Sequence, residues 1–504
     1  MRPARWLTVV SVVSAWLPAP LPAQAEGPAV RRARELVALI NSANPAAIRT
    51  YVDSAFGGQM RGMPLDAHLG FMMGQWERSR GLDWVEATGS TASEATVLLK
   101  RRLTGDPMVL LVRVDGKVPY PITGIGQRPP PDRAVGAGPQ VARDEDVVAE
   151  LEKYVVTLAE ADVFSGAVLF AKDGKVLFAK AYGQANKDFD APNRVDTKFN
   201  LGSMNKMFTA VAIAQLVERG KLSFDDPLSK FVPDFPTPAA AAKIRIKHLL
   251  SHTSGLGSYF NEEFERSSRA RFRTVDEMMQ LAKGDSLAFE PGTRWSYSNT
   301  GMLVLGKVIE VASGQEYFNY VREHVYRPAG MVNSDSYELD YVNPNLAVGY
   351  DKEFGLDGTK RYRNNLFMHV IRGGPAGGGY STVEDLLRFA EALKSGKLVG
   401  KPSVELLTSP KPELGSPRYG YGFGAEPQSE IVGHSGGFPG ISSNLDIFKQ
   451  SGYVAVVQAN YGGASMPVVQ KIRELVRARL RHTGGAEERS SSGIFGTARG
   501  LPLL

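Results

Sequence analysis

Apolar residues recur with two different periods along this chain, and the switches between them mark its architecture. From residue 28 the spacing is helical. "RRARELVALINSA" and "PAAIRTYVDSAF" each gather their apolar side chains on one face, with Asn44-Pro45 between them as a stop and restart. The pattern predicts a third helix over "DAHLGFMMGQWERS". The period then drops to two in "LDWVEAT", "ATVLLKRRL", "MVLLVRVDG" and "YPITGIG", with turns at Gly105-Asp106-Pro107 and Asp115-Gly116. Helices followed by an antiparallel meander predict a small α+β domain over residues 28–128. No cluster of titratable residues marks it as catalytic, which leaves a structural or binding role.

The stretch "RPPPDRAVGAGPQVARD" has no period and is rich in Pro, Gly and Ala, so residues 129–144 read as a linker. A larger domain follows over 145–482. It opens with a helix in "DEDVVAELEKYVVTLAEA" and a hairpin in "FSGAVLFAKDGKVLFAKAYG" that turns at Asp173-Gly174. Its middle is mostly helical. Strands return in "ISSNLDIFKQSGYVAVVQAN", and an amphipathic helix over "SMPVVQKIRELVRARLRH" closes it. Strands at both ends of one domain are simplest to satisfy by pairing them. The predicted fold class is therefore α/β of the α+β kind, an antiparallel sheet flanked by helices with a helical insertion. Residues 483–504 are polar and then small, and read as a disordered tail.

The chain has 504 residues, 43% of them hydrophobic, enough to bury a large core. Residues 1–25 carry Arg2 and Arg5, an apolar run from Trp6 to Trp16, and small residues at Ala23 and Ala25. That is the pattern of a cleaved export signal, and the prolines from Pro18 onward leave the run too short to be a transmembrane anchor. The expected location is periplasmic or secreted. Cysteine is absent, which excludes disulfides, thiolate metal sites and a lipid on an N-terminal cysteine. The formal charge is +6, or +4 once Arg2 and Arg5 are removed (6 − 2), and it is dispersed, which argues against nucleic acid as a partner.

Candidate chemistry begins at "FNLGSMNKMFTAVAIAQLVERGKL". After Ser203, the apolar residues Met204, Met207, Phe208, Val211, Ile213, Leu216 and Val217 cover most of a helix, which is therefore buried. Lys206 lies one turn from Ser203 on the same face. A buried lysine has a lowered pKa and can take the proton of a neighbouring hydroxyl, turning serine into a nucleophile. Taken alone, this spacing more often means a helix cap and a lysine that snorkels to water. Tyr297 and Asn299 lie after the Pro291-Gly292 turn and before an apolar helix. A phenol beside an ammonium is expected to ionise more easily and relay a proton, and Asn299 offers an amide to substrate and lysine. The pattern Tyr-x-Asn recurs at Tyr317, Tyr341 and Tyr362, so context alone selects Tyr297. In "IVGHSGGFPG", His434, Ser435, Gly436 and Gly437 form a strand whose glycines let backbone approach a ligand; Gly437 N–H with Ser203 N–H is the expected oxyanion hole. His248 and His252 lack a third ligand at metal-like spacing, "GGPAGGG" lacks the Lys-Ser/Thr of a phosphate loop, and Ser381 with Glu384 reads as a capping box. No metal or cofactor is expected.

Ser203-x-x-Lys206, Tyr297-x-Asn299 94 residues on (297 − 203) and His434-x-Gly436 137 residues after that (434 − 297) follow in order. With "IRIKHLLSHTSGLGSY", "GPAGGGYSTVEDLLRFAEAL" and "YGYGFG", they resemble the class C β-lactamase and DD-carboxypeptidase superfamily of serine hydrolases. The resemblance covers residues 145–482 and rests on the combination of motifs. It implies a β-lactamase/transpeptidase-like fold and a small-molecule or peptide substrate. By the same resemblance Ser203 is the acylated nucleophile, Lys206 and Tyr297 are base and proton relay, Asn299 with Ser435, Gly436 and Gly437 bind substrate, and His434 organises the third motif. That motif usually carries lysine in β-lactamases. A histidine is mostly neutral at pH 7 and holds a substrate carboxylate less firmly, which favours a peptidase or esterase acting on a D-amino-acid peptide or ester. The alternatives are a β-lactamase and a non-catalytic penicillin-binding or sensor protein. The N-terminal module resembles the cone-shaped nuclear-transport-factor-like folds and offers a docking unit. Oligomeric state is open.

Overall fold

The structure is a computed structural model and describes residues 26–128, 130, 141–284, 286–427 and 429–492. The expected export signal and most of the linker lie outside the described residues. The N-terminal module follows the sequence pattern. Helices α1 (Pro28–Ser42), α2 (Pro45–Ala55) and α3 (Leu65–Ser79) precede strands β1 (Leu82–Ser90), β2 (Glu94–Arg101), β3 (Pro107–Val114) and β4 (Ile122–Arg128). Asn44 caps α2 by accepting from Ala47 N–H at 3.1 Å. The strands form an antiparallel meander in order β1-β2-β3-β4. Ala33, Leu36, Val37 and Ile40 of α1 face Val97, Leu99, Leu110 and Val112 of the sheet in a separate core.

In the larger domain α4 (Asp144–Glu160) leads into β5 (Gly166–Lys172) and β6 (Lys175–Tyr182). Next come α5 (Asn205–Glu218), α6 (Asn299–Ser313), a hairpin of β7 (Tyr350–Phe354) and β8 (Lys360–Asn364), and α7 (Val383–Lys394). The chain returns through β9 (Gly424–Ala425), β10 (Ile431–Phe438), β11 (Ile441–Phe448) and β12 (Tyr453–Ala459) to α8 (Ser465–Ser492). The strands from the two ends pair as expected, in a six-stranded antiparallel sheet of order β9-β10-β11-β12-β5-β6. β12 lies beside β5 with Val456 opposite Leu169. β11 and β12 are buried throughout because helices cover both faces. One face packs on α5, α6, α7 and the helical insertion, the other on α4 and α8. At Gly166 a Cβ would stand 2.0 Å from Gln458 O, so only glycine lets β5 reach β12 there.

Two local expectations are corrected. Helix α8 continues past residue 482 to Ser492, so the first part of the expected disordered tail is helical and residues 493–504 lie outside the described residues. The cap of α7 is Thr382, whose hydroxyl accepts from Asp385 N–H at 3.1 Å, while Ser381 is buried against Ser334 at 2.7 Å. The cap is displaced by one residue because Ser381 still belongs to a short strand, and no reciprocal box forms, since the Asp385 carboxylate accepts from Asn333 N–H at 2.7 Å instead.

The β7–β8 hairpin joins the two modules. Near the end of α3 the buried Glu77 carboxylate meets Lys352 at 3.1 Å and Lys360 at 3.0 Å, and Lys360 also meets Asp162 at 2.8 Å. Burial opposes the charge on Asp162, yet hydrogen bonds from Lys360 and Tyr362 prevail and hold its pKa at about 2. Phe354 packs against the N-terminal core. At the other end of the hairpin, Asp351 accepts from Gly440 N–H at 2.9 Å, and Asn365 Nδ2 donates to Pro439 O at 2.9 Å. Glu77→Ala leaves Lys352 and Lys360 to share the single Asp162 carboxylate and is expected to lower stability by about 3 kcal/mol. Urea unfolding followed by tryptophan fluorescence measures it, and an unchanged midpoint would show that apolar contacts alone hold the modules together.

Candidate functional site

The site forms where α5, the start of α6, β10 and a glycine-rich loop meet. Ser203 sits in the 3-10 turn Gly202–Met204 that feeds α5. The turn is fixed on several sides. Asn200 Oδ1 accepts from Gly202 N–H at 2.9 Å, Gly378 N–H donates to Gly202 O at 3.1 Å, and Ser443 Oγ donates to Leu201 O at 2.7 Å. Gly202 has φ +50°, and a Cβ there would stand 2.9 Å from Gly437 N. A Cβ on Gly436 would stand 1.9 Å from Leu201 O. The glycines thus let β10 touch the serine turn, as their spacing suggested.

Lys206 is fully buried, one turn into α5. Its Nζ lies 3.1 Å from Ser203 Oγ, 2.9 Å from Asn299 Oδ1 and 2.5 Å from Ala376 O. Burial pulls its pKa down from the ordinary lysine range to about 7. The two carbonyl oxygens can only accept, so they orient two N–H bonds, and the remaining tetrahedral direction points at Ser203. In the amine form that direction is a lone pair facing the serine hydroxyl.

Ala376 belongs to the loop 373–380, in which Gly374 and Gly377 exchange hydrogen bonds of 2.8 and 3.1 Å. Thr209 Oγ1 holds Pro375 O at 2.8 Å and Asn205 Oδ1 accepts from Gly379 N–H at 3.1 Å, so α5 grips the loop beside the lysine. The stretch that fails as a phosphate loop is therefore an acceptor shelf for Lys206.

Asn299 is the first residue of α6 rather than a residue before it, because Ser298 caps the helix by accepting from Gly301 N–H at 2.8 Å. Its Nδ2 donates to Ser258 Oγ at 3.1 Å, which turns Oδ1 toward Lys206. The ring of Tyr297 lies 4.9 Å from Lys206 Nζ, and its hydroxyl is close enough to Ser203 to interact with it electrostatically. The expected easier ionisation is corrected. Burial pushes the phenol up to about 12 and the interaction with Ser203 offsets only part of that, so Tyr297 is a neutral donor.

His434 lies next to this cluster but bonds elsewhere. Its Nδ1 donates to Ser435 O at 2.5 Å and its Nε2 accepts from Tyr419 OH at 2.9 Å. Burial and the neighbouring Lys206 lower its pKa to about 3, so the imidazole is neutral. The structure thus brings Ser203, Lys206, Tyr297 and Asn299 together, and sets His434 behind Tyr297 at a ring separation of 6.5 Å. Ser435 is exposed on β10 and its carbonyl holds His434.

Sequence reasoning missed His252 and Tyr419. His252 is fully buried at φ +59°, a region that non-glycine residues seldom occupy. Its backbone carbonyl accepts from Ser296 N–H at 2.9 Å and its Nδ1 accepts from Ser298 N–H at 3.2 Å, gripping Tyr297 from both sides. Its ring lies 4.3 Å from that of Tyr297 and 4.6 Å from that of Tyr419. The dense polar run "SHTSGLGS" was the available signal. Among the described residues, no three His, Asp or Glu side chains converge as a metal site would need.

A pocket of about 60 Å³ opens beside Ser203, walled by Phe260, Phe264, Val370, Phe438 and Ile441. No Lys or Arg lines it among the described residues, and His369 on its wall is kept neutral by burial. Burying a protonated amine costs stability, so Lys206→Met is expected to raise the melting temperature. The gain is full below pH 7, where wild-type Lys206 is charged in both states, and fades toward pH 10.5 as the unfolded lysine also loses its proton. Calorimetry across that range tests it; a gain independent of pH would refute the lowered pKa.

The Beta-lactamase family model matches residues 147–478. Penicillin-binding protein 4* of Bacillus subtilis is 31% identical over 314 residues, 58% of this chain and 68% of that protein. Among solved structures, a penicillin-binding protein from Bacillus halodurans aligns with TM-score 0.57 at 30% identity, covering 64% of this chain and 99% of that one. A D-stereospecific amidohydrolase from Streptomyces sp. aligns with TM-score 0.51 at 26% identity over 63% and 94%. The family match leaves the N-terminal module outside it.

Proposed function

The chain belongs to the beta-lactamase family of serine hydrolases, and we propose that it is an exported enzyme that cleaves an ester or amide through an acyl-enzyme on Ser203. The observation that carries this reading is the buried amine of Lys206, 3.1 Å from Ser203 Oγ and titrating at about 7. The Ser203 hydroxyl proton passes to Lys206 Nζ as Oγ bonds to the substrate carbonyl carbon. The oxyanion is met by the N–H groups of Ser203 and Gly437. The carbonyl carbon's bond to the leaving oxygen or nitrogen then breaks. Tyr297 gives that atom its proton and is reprotonated from Lys206. Water attacks the acyl-enzyme, its proton goes to the same pair, and the released Ser203 oxygen takes the proton back. Asn299 orients lysine and substrate. Export rests on the pattern of residues 1–25.

Substrate preference follows from charge. Among the described residues the pocket wall has no fixed cation, and both nearby histidines are neutral, which favours uncharged esters and amides, D-amino-acid amides and esters included, over acids held by their carboxylate. The similarity to a D-stereospecific amidohydrolase supports the same preference. It disfavours efficient β-lactam hydrolysis.

Intact-protein mass spectrometry after exposure to esters, D-peptide amides and β-lactams is expected to show adducts that Ser203→Ala abolishes; adducts surviving in the variant would reject the assignment. A stoichiometric adduct without turnover would favour the sensor alternative. For kcat/KM, the amine form of Lys206 is the active base, so the profile is expected to rise tenfold per pH unit below about 7 and level above it. A profile flat from pH 5 to 8 would remove Lys206 as the base.

A further inference from the structure

We propose that the substrate carries an apolar chain that leaves the catalytic pocket over residues 365–370 and lies along an apolar rim at its mouth; this rests on the hydrolase reading above. The half-open pocket of about 60 Å³ beside Ser203 holds on the order of five water-sized groups. Any longer chain has to continue outside. One wall is the segment "NLFMHV", whose His369 and Val370 face the pocket. The preceding Leu366, Phe367 and Met368 point to solvent, with Phe367 90% exposed.

This exposure is held in place. Asn365 Nδ2 donates to Pro439 O at 2.9 Å, Met368 N–H to Asn365 O at 3.0 Å, and Arg269 Nε to Met368 O at 3.2 Å. The turn is therefore tied both to the β10–β11 connection and to the loop after Phe264. The exposed Phe260 ring continues the surface, stacked 5.6 Å from Phe438 on the pocket wall. On the far side, Leu339 N–H donates to Ile371 O at 3.0 Å, which anchors the segment that carries the exposed Tyr341 and the 94% exposed Val342 beside the end of this turn. Several exposed apolar side chains gathered around the mouth of a reactive pocket mark a binding surface.

The occupant is an uncharged chain, because the nearby cations are already paired. Arg273 meets Glu338 at 2.6 Å and Asp340 at 2.5 Å, and Arg269 meets Glu265 at 3.2 Å. An anionic membrane surface finds no free positive charge on these residues.

The test is kcat/KM for nitrophenyl esters from acetate through butyrate to octanoate, each below its aggregation threshold. A chain half-buried on the rim gains about twofold per methylene, so octanoate is expected to exceed acetate on the order of 50-fold. In the double variant Leu366→Ser/Phe367→Ser that ratio is expected to fall at least fivefold, with an unchanged melting curve showing that the fold is intact. Val342→Ser, on the opposite side, is expected to lower the ratio less. A flat chain-length series with Ser203-dependent turnover overturns this inference alone. So does a ratio the variants leave unchanged, or self-association by size exclusion that the double variant abolishes. No Ser203-dependent turnover of any ester overturns the hydrolase reading with it.

Discussion

A charged amine cannot be taken out of water cheaply, and the rest of the site follows from having done so. Lys206 lies in a helix that is buried on every side, and its cost is lowered by only two carbonyl oxygens and one hydroxyl. Near pH 7 the group therefore exchanges its proton readily. The surrounding parts preserve that poise. Asn299 and the glycine-rich loop accept from the amine without adding negative charge, and the neighbouring histidines are neutral. A carboxylate at any of these positions would restore the ordinary lysine pKa and end the amine's usefulness as a base.

Much of this was legible from the sequence because it rests on local periodicity. The all-round apolar pattern after Ser203 announced a buried helix, and a lysine within it announced a perturbed amine. The pairing of β12 with β5 followed from strands at both ends of one domain. Tyr297 could be chosen among four similar triplets only from its place between a Pro-Gly turn and an apolar helix.

What stayed hidden depends on three-dimensional neighbours. The left-handed backbone of His252 leaves no mark in residue order, and its grip on Tyr297 links segments more than forty residues apart (297 − 252 = 45). The direction of the phenol's pKa was misjudged because the adjacent ammonium was weighed and burial was not. His434 sits in its predicted motif, but its hydrogen-bond partner Tyr419 comes from another stretch, so its distance from the serine could not be foreseen. Caps were misplaced by one residue where a short strand ran directly into a helix.

The β7–β8 hairpin sets a limit on modular shuffling. It arises within the hydrolase sequence, yet its Lys352 and Lys360 are matched to Glu77 on α3, and its flanks hold the Pro439–Gly440 corner beside the oxyanion strand. A recombination breakpoint in the linker separates the partners of that match. The N-terminal module is thus fitted to a hairpin more than two hundred residues downstream (352 − 77 = 275), and neither half of that match is complete without the other.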